Sequence, residues 1–500
     1  MLPWRRRRPV EPTLVDRLLA AVDPAAAVRE HADSQRAGAF LGAQGERFVF
    51  ADREHAVLVL GAPRSGKTSA VVIPAILAAP GAVVAPSTKP DVRAATQRAR
   101  ATAGRVWVFD PTGEAGDPGP GAQVLRWSPV AAATGWDEAL HTARAMTLAA
   151  PALGRGTTHE QHWSERAAAL LAPLLYAAYA SEQPIDTVLG WVLRHDFDEP
   201  TKILVRAGEP IAVDVLYGIS LTDQRERSSI FSATAGVLAL YNTNAARQAA
   251  SSPNFNADAF AASTDTIYIT APAHRQALCA PLVVGLLEQI RHATYRRATG
   301  HPQTSPVFFC LDEVANIAPI HDLPALVSEA GGQGLHVMAC LQDLSQARAR
   351  WGDQAADGFL TLFQTKLVLA GISDPRTLEA LSLILGEIDR PMRTTTTGVS
   401  ETHTYAWTAP PTTTRSRSVG YNTVRQRRVS PGEIAAIPRG NGMLISGANR
   451  QRLRLTPYHA CEPWRSLTQA GGSPLARGVT ASYPDRDARP SVELKDRGTM

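Results

Sequence analysis

The chain has 500 residues, 44% of them hydrophobic and 19% charged, with 37 glycines and 36 prolines. That composition excludes a stapled mini-protein, a collagen-like chain and a wholly disordered one. Lys plus Arg at 51 against Asp plus Glu at 46 gives only +5, too mild to choose between nucleic acid, acidic lipid and ordinary surface. Placement says more, because Asp389 to His459 carries eleven arginines against three acids, and Arg5 to Arg8 form a second cluster.

The length allows two or three domains. The four cysteines, Cys279, Cys310, Cys340 and Cys461, have no CxxC and no metal-ligand spacing, which points to unpaired thiols in a reducing compartment. The start MLPWRRRRPVEP has no apolar run behind its charges, so no secretory signal is expected. The longest apolar stretches, Ala70 to Pro86 and Ala277 to Leu287, are cut by Pro and Gly, and no membrane span is expected. Arg5 to Arg8 read either as a solvated leader or as a weak anchor to an acidic surface.

In chain order, Ala56 to Leu60 (AVLVL) reads as a buried strand that runs into GAPRSGKTSAVVIPAIL. Strand, Gly61, four residues, Gly66-Lys67-Thr68 and a helical pattern form a phosphate-binding loop. Gly61, Ala62, Pro63, Arg64, Ser65, Gly66, Lys67, Thr68 and Ser69 would cradle the phosphates. Within it, Lys67 reaches the terminal phosphates and Thr68 offers its hydroxyl to Mg2+, with ATP as the expected ligand. Arg64 either leans on a phosphate or faces water, the second reading being preferred.

Gly81 to Ala85 and Arg105 to Phe109 read as further strands, with a helix from Asp91 to Ala101 between them. Between Pro129 and Phe260 the pattern turns helical, with stretches His141 to Ala150, Ser164 to Ala180 and Gln224 to Tyr241, and a β-rich patch near Ile203 to Val215. His141, His159 and His162 lack the spacing of a metal site and read as surface or packing residues.

The sheet resumes with Thr266 to Thr270, a helix from Arg275 to Ala298, and the strand Val307 to Leu311, which ends in Asp312 and Glu313. Beside a phosphate loop, Asp312 can hold Mg2+ partly through water while Glu313 orients and deprotonates the attacking water. The alternative reading of the pair is a solvated turn with a helix cap. The strand Leu335 to Leu341 leads to Gln342 and, four residues on, Gln346; Gln342 either contacts phosphate or water, or caps the next helix. After Gly386 a polar, threonine-rich stretch runs through Pro410 and Pro411, and reads as a long, exposed, flexible insertion over about 388–430. Its Arg415, Arg417, Arg425, Arg427 and Arg428 could track a nucleic-acid backbone with Tyr421 or Trp407 stacking, or the stretch could be a solvated loop. Met443 to Ser446 and Arg452 to Leu455 suggest a hairpin, and Gly471 to Met500 a disordered tail.

These segments in this order resemble the coupling ATPases of conjugative type IV secretion systems over about Gly42 to Trp464. The resemblance is carried by Val57 through GAPRSGKTSAVVIPAI, Ser87-Thr88-Lys89-Pro90-Asp91, Val108-Phe109-Asp110-Pro111, Asp312-Glu313, and Gln342 with Gln346. Glu160, Trp163 and Ala167 resemble the start of the family's helical insertion, and Ile434, Pro438 and Gly442 to Ser446 its closing segment. The resemblance implies an α/β fold: a RecA-like P-loop NTPase domain with an inserted, mostly helical domain. The expected divisions are a leader and helix over 1–41, the nucleotide domain over 42–129 and 263–464, a substrate-recognising insertion over 130–262, and a tail over 465–500.

It further implies an ATPase that moves DNA, with its attached relaxase or another secretion substrate, to a secretion channel. Such a protein works as a homo-hexamer when active, a monomer in isolation being the alternative. The family's two N-terminal membrane helices are not expected here, leaving a cytoplasmic protein or one held peripherally at the inner face of the membrane by a separate anchor. Many relatives look as if they carry an arginine in the turn that reads Gly331-Gly332-Gln333-Gly334 here, so Arg348, Arg350 or Arg376 would have to replace it, or turnover would depend on a partner. The alternatives in function are a nucleotide-gated adaptor with little hydrolysis and a soluble DNA-pumping ATPase for packaging or segregation.

Overall fold

Apolar runs of four to seven residues, rich in Val, Ile, Leu and Phe, supply strands that can be covered on both faces, and a computed structural model shows them as one large sheet. The structure describes residues 13–151, 160–300, 305–402 and 412–469. In chain order the strands are β1 (Ala37–Gln44), β2 (Arg47–Asp52), β3 (Val57–Leu60), β4 (Val83–Ser87), β5 (Val106–Phe109), β6 (Ala122–Val124) and β7 (Thr266–Thr270). They continue with β8 (Val307–Leu311), β9 (Leu335–Leu341), β10 (Thr365–Leu369), β11 (Glu387–Thr402), β12 (Thr412–Arg427), β13 (Asn441–Ser446) and β14 (Asn449–Arg454). Twelve of them form a sheet in the order β2-β1-β14-β13-β10-β3-β9-β8-β4-β7-β5-β6.

From β10 to β6 the neighbours are parallel. The four remaining strands, drawn from the two ends of the chain, extend that sheet antiparallel. Side chains of β3 alternate between two cores, Val57 and Val59 on one face, Leu58 and Leu60 on the other, as strand geometry requires. The face bearing Leu58 and Leu60 continues without interruption into the helical insertion through Ala139, Ala143 and Met146. Trp127 is fixed there by its indole N–H, which donates to Gln289 Oε1 at 2.8 Å.

The described part of residues 130–262 contains helices only, including Trp136–Ala149, Glu160–Ala180 and Gln224–Val237. The β-rich patch expected near Ile203 to Val215 is corrected: it is two helices, Asp198–Ala207 and Pro210–Ser220. Gly208, at φ +75°, closes the first, and Pro210 opens the second. Their β-branched residues pack helically, with Ile203 and Ile219 buried.

The insertion after Gly386 is also corrected. It is exposed, but β11 and β12 form a ladder of their own, in unbroken register from Glu387↔Arg427 to Thr402↔Thr412. Sixteen residues per strand make a ribbon about 50 Å long. Its threonines, valines and Tyr421 favour extended backbone, yet no face is buried, so the apolar alternation that normally marks a strand is missing. Arg5 to Arg8, His159, Trp407, Pro410, Pro411 and the tail from Gly471 lie outside the described residues.

At the edge of the large sheet farthest from β6, the β1–β2 hairpin starts at Ala37, ahead of the boundary expected near 42. Buried His336 of β9 clasps it. Its Nε2 accepts from the Ala39 N–H at 3.0 Å, and its Nδ1 donates to the Arg53 carbonyl at 3.0 Å. Burial depresses its pKa to about 4, so the imidazole is neutral.

Candidate nucleotide site

The strand order puts β9 between β3 and β8, so three chain segments distant in sequence end side by side at the carboxyl edge of the sheet, where open α/β sheets bind ligands. After β3, Gly61 donates its N–H to the Leu341 carbonyl at 3.2 Å. The loop then turns through Gly66 at φ +96°, a conformation that suits glycine. The helical stretch Lys67–Val72 is π-helical and passes into the α-helix Ile73–Ala78, which has Pro74 in its first turn. π-Turns of this kind recur at functional sites.

Lys67 Nζ donates to the carbonyls of Gly61 and, at 3.2 Å, Ala62. Burial lowers its pKa, countered by the nearby Cys340, Asp312 and Glu313. Thr68 Oγ1 donates to Asp312 Oδ2 at 3.0 Å, which joins the loop directly to the end of β8. Asp312 is buried, and that burial lifts its pKa to about 6; Thr68 and Lys67 oppose the rise, while Glu313 and Asp91 add to it. Glu313 follows at φ +62°, ψ +48°, an uncommon conformation for a non-glycine residue, and heads the short helix Val314–Ile317.

Gln342 lines the same cleft at the end of β9. Of its two readings, the cap belongs to Asp343, whose side chain accepts from Ser345 N–H at 2.9 Å. Gln346 Oε1 accepts from the Gln342 N–H at 2.8 Å and fixes the turn. Arg64 is exposed, at φ +63°.

The cleft holds about 500 Å³ and is lined by Ala62 to Ser69, Asp312, Glu313, Gln342 and Gln346. It also includes Lys89, Asp91, Cys340, Tyr458 and His459, which the motif reading did not place in the site. Lys89 and Asp91 had a family-like signal; Tyr458 and His459 had none. Phosphate and a hard cation fit these residues. Ser65 Oγ is buried in the loop without a hydrogen-bond partner, Lys67 lines the cleft, and a hydroxyl and a carboxylate already converge.

The other candidates stand apart. Arg425 pairs with Glu387 at 2.7 Å and Arg427 with Glu379 at 2.8 Å at the base of the ribbon, whereas Arg415, Arg417 and Arg428 are exposed. Arg348 is bound to Asp374 at 2.5 Å, Arg376 to Asp353 at 3.2 Å, and Arg350 donates to the carbonyls of Leu148 and Pro319. Gly331 has no room for a side chain, since a Cβ there would lie 2.0 Å from the Glu54 carbonyl oxygen, while Gly332 faces open space. The His141 ring lies 4.5 Å from that of His292, with the planes tilted by 38°.

The fold is that of an α/β protein with a phosphate-binding loop and a strand-end acid, the RecA-like arrangement. The family described as "Type IV secretory system Conjugative DNA transfer" matches residues 20–458, and the chain belongs to it. Among solved structures, the bacterial conjugative coupling protein TrwBdeltaN70 in an unbound form is similar at TM-score 0.61 and 17% identity, over 85% of this chain and 90% of that one. The plasmid coupling protein TrwB solved with ADP and Mg2+ gives 0.58 and 17%, over 82% and 87%. TrwB with the ATP analogue ADPNP gives 0.59 and 18%, over 81% and 86%. No curated protein matches the chain. Among the described residues no helix is long and apolar enough to cross a membrane.

Proposed function

We propose that the protein is an ATP-driven coupling protein that recruits DNA, with its attached relaxase, and moves it to a type IV secretion channel. The observation that carries the nucleotide part is the Thr68–Asp312 hydrogen bond, which brings loop hydroxyl and strand-end carboxylate to one point beside Lys67. Thr68 and Asp312 hold Mg2+, which when bound neutralises phosphate charge. Lys67 exchanges the carbonyls of Gly61 and Ala62 for the terminal phosphates. Glu313 orients the attacking water and takes its proton, and Gln342 reports the terminal phosphate to β9. TrwB was solved with ADP and Mg2+ and with ADPNP, which supports the same ligands here.

The DNA part rests on the ribbon. Opposed residues of a ladder share a face, so Arg427, Arg425, Tyr421, Arg417, Arg415 and Arg393 lie on one face, with Glu387 and Asp389 at its base and Glu401 near its tip, and the serines of β12 lie on the other. Beyond the base of the ribbon, Arg393, Arg415 and Arg417 with the exposed Tyr421 suit a phosphate backbone with a stacked base. The active form is a homo-hexamer in which a neighbouring subunit completes the site. A closed Gly331 position, with Arg348 and Arg376 already paired, favours turnover that depends on such a neighbour.

The test is ATP hydrolysis by the full chain with and without DNA. DNA stimulates the rate, Lys67→Ala abolishes it, and the double variant Arg415→Ala/Arg417→Ala keeps the basal rate, loses stimulation and lowers the salt dependence of DNA binding by about two charges. A wild-type rate no higher than that of Lys67→Ala under every DNA condition refutes the motor.

A further inference from the structure

The phosphate loop, Asp312, Glu313 and Gln342 account for only part of the cleft. The rest of the lining includes Lys89, Asp91, Tyr458 and His459, and Tyr458 adds a half-buried aromatic ring. Tyr458 opens the 3-10 turn Tyr458–Ala460, which follows Pro457 and packs against the stretch Lys67–Val72. Its ring is half-buried against the core on that face of the sheet, and burial raises the pKa of its hydroxyl, with Asp91 adding to the effect. His459 meets the ring edge-on, with centroids 5.2 Å apart and planes at 87°.

We propose that Tyr458 is the stacking face for the base of the bound nucleotide, with His459 bracing the tyrosine from the solvent side. The proposal rests on the nucleotide reading above and assigns the base end of the same ligand. A triphosphate seated on the loop must lead its sugar and base into the remainder of the cleft, and a base needs a flat apolar surface to leave water. Tyr458 provides one that packing already holds in place, so little rotamer freedom is lost on binding. A ring face reads the size of the stacked base rather than its hydrogen-bonding edge, so Tyr458 favours purines over pyrimidines and does not by itself separate adenine from guanine.

The experiment compares the binding of ATP, CTP and inorganic tripolyphosphate, each with Mg2+, to the full-length protein by calorimetry. Wild type, Tyr458→Phe, Tyr458→Ala, His459→Ala and Lys67→Ala are measured side by side. Tyr458→Ala weakens ATP about tenfold or more and narrows the preference of ATP over CTP, leaves tripolyphosphate unchanged, and Tyr458→Phe behaves as wild type. Equal losses for ATP and tripolyphosphate in Tyr458→Ala would make the tyrosine a support for the loop and overturn the stacking role. So would an unchanged ATP affinity while Lys67→Ala abolishes binding of both ligands. A wild-type protein that binds neither ligand overturns the nucleotide reading itself.

Discussion

Asp312 combines two demands that conflict, and replacing it by asparagine separates them. Its carboxyl is 8% exposed, and burial lifts its pKa from 3.8 to about 6, so the folded chain holds this proton more tightly than the unfolded chain does. Stability from this group is therefore greatest at low pH and is lost as pH rises from about 4 to about 6. At about 1.4 kcal/mol per tenfold, the ionised form costs about 3 kcal/mol near pH 7.5 and roughly half of that near pH 5. Asp312→Asn keeps an oxygen to accept from Thr68 and removes the buried charge. In chelator, the variant is more stable than wild type near pH 7.5, by up to about 3 kcal/mol, and the advantage shrinks on acidification. Denaturant unfolding followed by tryptophan fluorescence at several pH values reads the difference, with m-values compared to confirm that the same surface unfolds. Added Mg-ATP then stabilises wild type and leaves Asp312→Asn behind. A variant no more stable than wild type near pH 7.5, or an advantage that grows on acidification, refutes the argument that burial sets the state of this carboxyl.

Gly331→Arg destabilises the protein severely because its Cβ would collide with the Glu54 backbone, whereas Gly332→Arg folds normally; thermal melts of the two variants check this. His336→Phe strands the buried Ala39 N–H, removes the donor to the part-buried Arg53 carbonyl, and costs about 1–3 kcal/mol in denaturant unfolding. The wild-type imidazole, neutral down to about pH 4, contributes stability that falls as pH drops from about 6.5 toward 4, a slope the variant lacks.

Most of the chemistry was legible because it sits where local patterns end. Val307–Leu311 and Leu335–Leu341 are strands over the expected residues, since a strand buried on both faces must be an uninterrupted apolar run, and a polar residue that terminates one is conspicuous. The helix Asp91–Ala101 is likewise found where its pattern predicts it. The ribbon was not legible as strands because neither of its faces is buried, and Ile203 to Val215 misled because β-branched residues fit a helix whose ends Gly208 and Pro210 define.

The sequence by itself determined the phosphate loop, the acids after β8 and the glutamine after β9, each a feature of a few adjacent residues. Tertiary structure alone decided that β9 lies between β3 and β8, that Thr68 meets Asp312, and that Tyr458 and His459 return to the same cleft from the far end of the chain. It also gathered Arg393, Arg415, Arg417, Arg425 and Arg427 on one face of the ribbon and closed Gly331 against Glu54. Strand order and close approach depend on which burial and hydrogen bonding the whole sheet can satisfy together, and no window of sequence carries that information.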